Sequence, residues 1–371
     1  MTDNSRLTRR QALRSGAVGA LGIYLAGCGS SGGSGGSTSA AKTGGNINWI
    51  TWNDHYLPAQ LKAVQKSPGL AIHPTLQSDD SDGYLKTRQT GSQFQFVSTD
   101  ALWVKKFHDD GLIESFDVNA IDASSELFSM AKSFPFWQDG SNYMAYPFGW
   151  SSIQFYYDPK HVSPAPTSWH VLTDPRYKGK VVAENQPTDL MAMAGIATGS
   201  KQPYNMSPAE ISRAKDFLKA AKPAFLKLVS QNSDVVKALA DGSAVLAIEN
   251  LGTDFRVKDA GGPVVKMAQP KEGVYGFIDG EQIVKAANSH DQFVTFINAM
   301  ERADWIAQNF LANGRPLFNE QAYKKLVDQG HKDRADQLLY NKPDVALGMT
   351  LKGPSGNEQA YIDAFNEVFG A

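Results

Sequence analysis

Acids and aromatic rings gather where the short apolar runs of this chain end. The residues that close those runs are Trp52-Asn53-Asp54-His55-Tyr56, Asp79-Asp80, Ser98-Thr99-Asp100, Trp150-Ser151-Ser152, Glu184 through Asp189, Glu249-Asn250 and Phe277-Ile278-Asp279. Lysine is absent from this set. Carboxylates walled by aromatic rings suit one task well, which is holding an ammonium group by charge pairing at its head and cation–π contact beside it. Each acid also has a plainer use. Asp54 and Asp100 stand where either could cap a following helix, and Asp189 could serve as a first-turn acid. Asp279 has no such outlet, because "GFIDGEQIV" sets it inside an apolar stretch beside a glycine.

Other chemistries find less support. There is no G-x-S-x-G elbow and no Walker loop, and the seven histidines show no HExxH spacing, which weakens the reading of an exported hydrolase. "SDDSDG" resembles the start of a calcium loop, but Ser78 holds the first position and Gln89 the twelfth, so the ligand set fails. The adjacent phenols Tyr156-Tyr157 could suit a ferric-iron receptor. Cys28 is the sole cysteine, so an intrachain disulfide is excluded, and its reading below as a lipid-bearing residue also removes a zinc–thiolate site and a cysteine nucleophile. With 36 basic and 38 acidic residues the chain has no charge excess to hold nucleic acid. No motif calls for a cofactor or a metal, and the expectation is a binding protein, not an enzyme.

These residues need elements to position them, and the first residues read instead as an address. "SRLTRRQALRSGAVGALGIYLAGC" joins an arginine pair, Arg9-Arg10, to an apolar run too short to span a bilayer and then to a lipobox-like "LAGC". Residues 1–27 are therefore expected to be an export signal of twin-arginine type, with Cys28 as the lipid-bearing N-terminus of the mature chain. Residues 28–45 are a Gly/Ser tether that cannot fold. Beyond it, strands such as "NINWITW", "LAIHPTL" and "FQFVST" alternate with helices such as "DSDGYLKTRQT" and "DALWVKKFHDDGLI". Later come the strands "KGKVVAEN" and "SAVLAIEN", with "SPAEISRAKDFLKAAKPAFLKL" read as a helix pair. That alternation predicts an α/β protein built on mostly parallel sheet covered on both faces. Two units are expected. The first covers 46–150 and returns at about 280–325; the second covers 151–279 with about 326–371. The chain crosses between them near 143–159, and the ligand cleft should lie outside the carboxyl ends of the strands.

In its details the sequence resembles the spermidine/putrescine-binding family of extracytoplasmic receptors for ABC importers. The pieces that carry the likeness are "TWNDHYLP", "STDALWVKKFHDDGLIESFD", "DPRYKGKVV", "DGSAVLAIEN" and "PKEGVYGFID", and it runs through nearly all of residues 46–371. The resemblance implies a two-lobed periplasmic-binding-protein-like fold of type II. It also implies a monomer that closes by a hinge on a small amine and docks on permease subunits. Carried over by position, the family's site falls on Trp52 and Asp54, with one extra residue before Tyr56, so either Asp54 or Tyr56 could fill that place. Tyr84 joins them by position, and the strand ends add Asp100 and Trp150 as further ligand contacts. In the second lobe an acid pair becomes Gln186 and Asp189, a tryptophan becomes Glu249, and the aromatic and central acid are kept as Phe277 and Asp279. A tyrosine becomes Arg315. An arginine in the cleft would disfavour a pure polycation and suit a ligand with an acid end, such as an amino acid or aminophosphonate; otherwise Arg315 is an exposed residue after the helix end at Gly314.

Overall fold

A computed structural model describes residues 44–370. The export signal and Cys28 lie outside the described residues. Strand β1 (Gly45–Thr51) leads to helix α1 (Pro58–Lys66), which begins on a proline suited to a first helical turn. Strand β2 (Leu70–Leu76) follows, then α2 (Asp80–Thr90), which Asp79 caps by accepting from the Asp82 N–H at 2.8 Å. Strand β3 (Phe96–Asp100) runs straight into α3 (Ala101–Asp109). The long β4 (Tyr146–Tyr157) is buried along all twelve residues. Next come β5 (Val181–Glu184), α4 (Pro187–Ala197), α5 (Pro208–Ala221), β6 (Phe225–Val229), α6 (Asn232–Ala240), β7 (Leu246–Asn250) and α7 (Thr253–Asp259). A second long strand, β8 (Tyr275–Val284), precedes α8 (His290–Met300) and α9 (Ala303–Asn313). The two-residue β9 (Thr350–Leu351) comes shortly before the closing helix, Glu358–Phe369.

One mixed sheet connects these strands in the order β2-β1-β3-β8-β4-β7-β5-β6. Its flanks are parallel, β2-β1-β3 on one side and β7-β5-β6 on the other. The middle is antiparallel, because β8 runs against both β3 and β4, and β4 against β7. The sequence expectation of parallel sheet thus holds for the strand–helix repeats. The antiparallel pairings that make the expected sheet a mixed one come from β4 and β8, the long strands whose uninterrupted burial gives no polar–apolar alternation to read.

Two main apolar cores form. The first gathers Trp49, Phe96, Phe107, Trp137 and Trp150 with Ile283, Phe296 and Phe310, and extends to Ala346. The second gathers Phe155, Trp169, Val181, Met191 and Phe217 with Tyr275 and Phe277, and is closed by Tyr361 and Phe365 of the last helix. A smaller cluster around Tyr156, Val182, Val235 and Val257 covers the other face of the second part. The expected return boundary at 325 therefore falls inside the first core.

One helix assignment is corrected. "SPAEISRAKDFLKAAKPAFLKL" is a single helix, α5, followed by a short 3₁₀ turn and strand β6. Pro223 removes a helical N–H, and the following segment finds parallel partners on β5 instead. The iron reading loses its geometry too. Tyr156 and Tyr157 are neighbours on β4 and leave opposite faces, one into the small cluster and the other into the second core.

Candidate functional site

The carboxyl ends of β1, β3, β5 and β7 meet the middle of β8 around a cleft. Of the residues expected there, Trp52, Asp54, Asp100, Gln186, Phe277, Asp279 and Arg315 line it. Asp189 and Glu249 lie just behind its wall, in adjoining cavities. Tyr56, Tyr84 and Trp150 are elsewhere. Tyr56 packs 6.0 Å from the Trp49 ring, so Asp54 is the cleft residue of that pair. Tyr84 donates its hydroxyl to Asp110 at 2.6 Å and leans on Phe107. Trp150 is sealed in the first core.

Asp279 organises the near end. It pairs across the sheet with Asp100 on β3 and Gly149 on β4, and the register slips by one residue immediately after it. Such an irregularity re-aims a side chain. Its carboxylate accepts from the Gly149 N–H at 3.1 Å and from Arg315 Nη1 at 2.7 Å, and it lies 3.1 Å from His55 Nε2. Burial pushes the Asp279 pKa up, but Arg315 and His55 outweigh that and hold it below the ordinary carboxylate value. His55 Nδ1 meets Glu281 at 2.8 Å, and its ring stacks on Phe148 with centroids 4.2 Å apart. For His55 too, burial disfavours charge, yet Asp279 and the two hydrogen bonds raise its pKa to about 9. Beneath it Trp49 Nε1 and Ser98 Oγ both donate to Glu281, at 2.9 and 2.7 Å. Trp49 is a core residue with a polar duty.

Arg315 is neither exposed nor free. Helix α9 ends at Gly314 with φ 77°, and the next residues lie along β4, where the Trp150 N–H donates to the Pro316 carbonyl at 3.1 Å. A Cβ on Gly252, itself at φ 82°, would stand 2.3 Å from the Gly314 carbonyl oxygen, so only glycine lets these two turns meet. The guanidinium that results is 2% exposed. Besides Asp279 it approaches Asp54, with Nε 3.2 Å from Oδ2. Asp54 caps no helix, since Leu57 holds the N-cap of α1; its carbonyl is held by Asn309 at 2.9 Å and Asn313 at 3.2 Å.

The far end carries a cation that the sequence reading missed. Lys352 follows β9 directly, and its ammonium lies 2.5 Å from Asp189 and 3.0 Å from Gln186 Oε1. Burial opposes its charge, but Asp189 and Asp100 raise its pKa above the ordinary lysine value. Strand β9 has two residues and no periodicity, so nothing in "MTLKGP" announced a cleft residue. Between the two ends lies Phe277, with Arg315 and Lys352 each 5.4 Å from its ring centroid.

Other acids of the cleft have no cation beside them. Among the described residues no Lys or Arg nitrogen comes within 4.0 Å of Asp80, Asp100 or Glu184. The Asp100 N–H donates to Asp80 Oδ1 at 2.8 Å, which holds the two acids side by side. Burial raises both, Asp80 to about 7 and Asp100 well above its ordinary value, so the pair retains a proton. Glu184 and Glu249 are likewise raised by burial, Glu249 to about 7, and for Glu249 the pull of Arg256, 3.7 Å away, offsets only part of the rise. Asp100 stands at the N-cap of α3 but makes no capping bond, which leaves its carboxyl for the cleft.

A polar, acid-rich cleft between two cores of one sheet agrees with what known proteins show. A family model described as "Bacterial extracellular solute-binding protein" matches residues 59–330. The chain belongs to the bacterial extracellular solute-binding proteins. Within that family it is 25% identical over 336 residues to the spermidine/putrescine-binding periplasmic protein of Escherichia coli strain K12, covering 90% of this chain and 92% of the relative. Two solved structures share the two-lobed fold. One, described as a spermidine/putrescine ABC transporter of Listeria monocytogenes, has a TM-score of 0.75 at 18% identity, covering 87% of this chain and 97% of its own. The other is the TpPotD lipoprotein of Treponema pallidum, with a TM-score of 0.71 at 16% identity, covering 88% and 100%. In this solute-binding protein β4 and β8 are the strands shared by both lobes, and the cleft lies where they pass between them. No helix among the described residues is long and apolar enough to cross a membrane.

Proposed function

We propose that this solute-binding protein captures a small amine-bearing solute between its lobes and delivers it to the permease subunits of an ABC importer. The observation that carries this reading is the surplus of carboxylates. Asp54, Asp79, Asp80, Asp100, Glu184 and Asp279 line the cleft against Arg315, Lys352 and protonated His55. Burial raises the Asp80–Asp100 pair and no Lys or Arg nitrogen among the described residues lies within 4.0 Å of it, so an ammonium group could take the place of a proton there. Relatives named for spermidine and putrescine support an amine as the ligand class. Trp52 supplies an aromatic wall beside His55, 5.2 Å from its ring.

Closure is the mechanism that such a site needs, because the acids come from both lobes and only the closed form brings them all to one ligand. The protein works as a monomer, tethered outside the membrane through a lipid on Cys28 and the Gly/Ser spacer. Thermal unfolding of the purified protein in the presence of putrescine, spermidine, ω-amino acids, sugars or ferric citrate tests the reading. An amine should raise the midpoint with increasing concentration, as expected for a ligand that binds only the folded state. A rise with a sugar or ferric citrate and none with any amine would overturn it.

A further inference from the structure

Three of the acids that the family resemblance assigned to the ligand, Asp54, Asp189 and Asp279, already stand beside cations. Arg315 sits between Asp54 and Asp279, and Lys352 between Asp189 and Gln186, with Phe277 under both cations. Two positive groups flanking one aromatic ring leave little electrostatic reason for a ligand with a cation at each end. Arg315 also has bonding capacity to spare. Its Nη1 is used by Asp279, whereas Nε and Nη2, both buried, have no hydrogen-bond partner among the described residues. Asp54 is near Nε but outside hydrogen-bonding geometry. Buried N–H groups without acceptors are costly, and one edge of a guanidinium matches an oxyanion with two parallel bonds.

Resting on the reading of an amine receptor, we infer that the ligand is a zwitterion whose oxyanion binds the Nε/Nη2 edge of Arg315 and whose single ammonium binds Asp80 and Asp100. Linear diamines are then disfavoured, since Arg315 and Lys352 hold the places of their two charges. The oxyanion is a carboxylate or a phosphonate; both offer the paired oxygens that the fork accepts.

The test is calorimetric titration of the full soluble chain with pairs of equal length: 4-aminobutanoate against 1,4-diaminobutane, 5-aminopentanoate against 1,5-diaminopentane, and 3-aminopropylphosphonate for the second anion. At least one zwitterion should bind ten-fold or more tightly than its matched diamine. Arg315→Lys keeps the charge but removes the fork, and it should lower that ratio ten-fold or more while the diamine is little affected. Arg315→Gln provides a second variant, with circular dichroism confirming the fold of each. Diamines binding as tightly as the zwitterions, or both classes weakening equally in Arg315→Lys, would overturn the inference and leave the amine receptor standing. Failure of every amine in the set, with a sugar binding instead, would remove both.

Discussion

Asp100 and Asp279 face each other on neighbouring antiparallel strands and are almost equally inaccessible, at 3% and 1% exposure. Their charge states nevertheless diverge. Arg315 and His55 hold the Asp279 pKa below its ordinary value, whereas burial and the neighbouring Asp80 push that of Asp100 well above it. Burial opposes ionisation of both, so burial is not what separates them. The separation comes from which cations the tertiary fold delivers to each side of one strand pair. One half of the cleft is thereby an ion-pair network around Arg315 and the other is a buried acid pair with no Lys or Arg nitrogen among the described residues within 4.0 Å.

The largest break in that contrast should come from Arg315→Leu. Removing one partner of a buried ion pair leaves uncompensated carboxylates, at a cost of about 3–5 kcal/mol. Urea unfolding should show that loss, and Asp279 should then titrate upward as Asp100 does. His55 tests the same half by pH. Its pKa rises from 6.5 unfolded to about 9 folded, so its contribution is complete below pH 6.5 and disappears as pH climbs through 9. That contribution is on the order of 3 kcal/mol. His55→Gln should flatten the alkaline decline in unfolding midpoint, and an unchanged decline would place its origin elsewhere.

A smaller effect is expected from Gly252→Ala, which has no room beside the Gly314 carbonyl and requires a left-handed backbone. A cost of roughly 1–3 kcal/mol in thermal unfolding follows, accompanied by displacement of Arg315, one residue along. Asp100→Asn sharpens the other half. Asp80 and Asp100 are raised acids, so stability falls as pH rises from the ordinary aspartate value toward 7, and the amide should reduce that fall in the empty protein. Amine affinity should drop at least ten-fold, about 1.4 kcal/mol. Equal affinity in calorimetry would exclude Asp100 from the ligand.

Much of this was legible before any fold was in hand. Helix α2 follows "DSDGYLKTRQT" to the residue because Asp79 caps it and Gly91 succeeds it. Asp54 and Asp100 stand at strand ends, where α/β sheets present their ligand residues, and the position of Asp279 inside an apolar strand marked it as unusual. Tyr84 and Trp150 misled because an aromatic residue near a strand end reads the same whether it turns to the cleft or to the core. The second helix of the pair read in "SPAEISRAKDFLKAAKPAFLKL" failed because apolar residues at its end meet a parallel neighbour that local spacing does not reveal.

By itself the sequence determined the composition of the site, the strand–helix alternation and the family, because these depend on residue type and local period. Only the tertiary structure decided the charge state of the cleft. Arg315 lies 36 residues from Asp279 in sequence, and Lys352 lies 163 from Asp189. Ion pairing at that separation depends on strand register, the Gly252–Gly314 contact and a two-residue strand, none of which leaves a periodic signal. Coulomb energy falls with distance in space and is indifferent to distance along the chain.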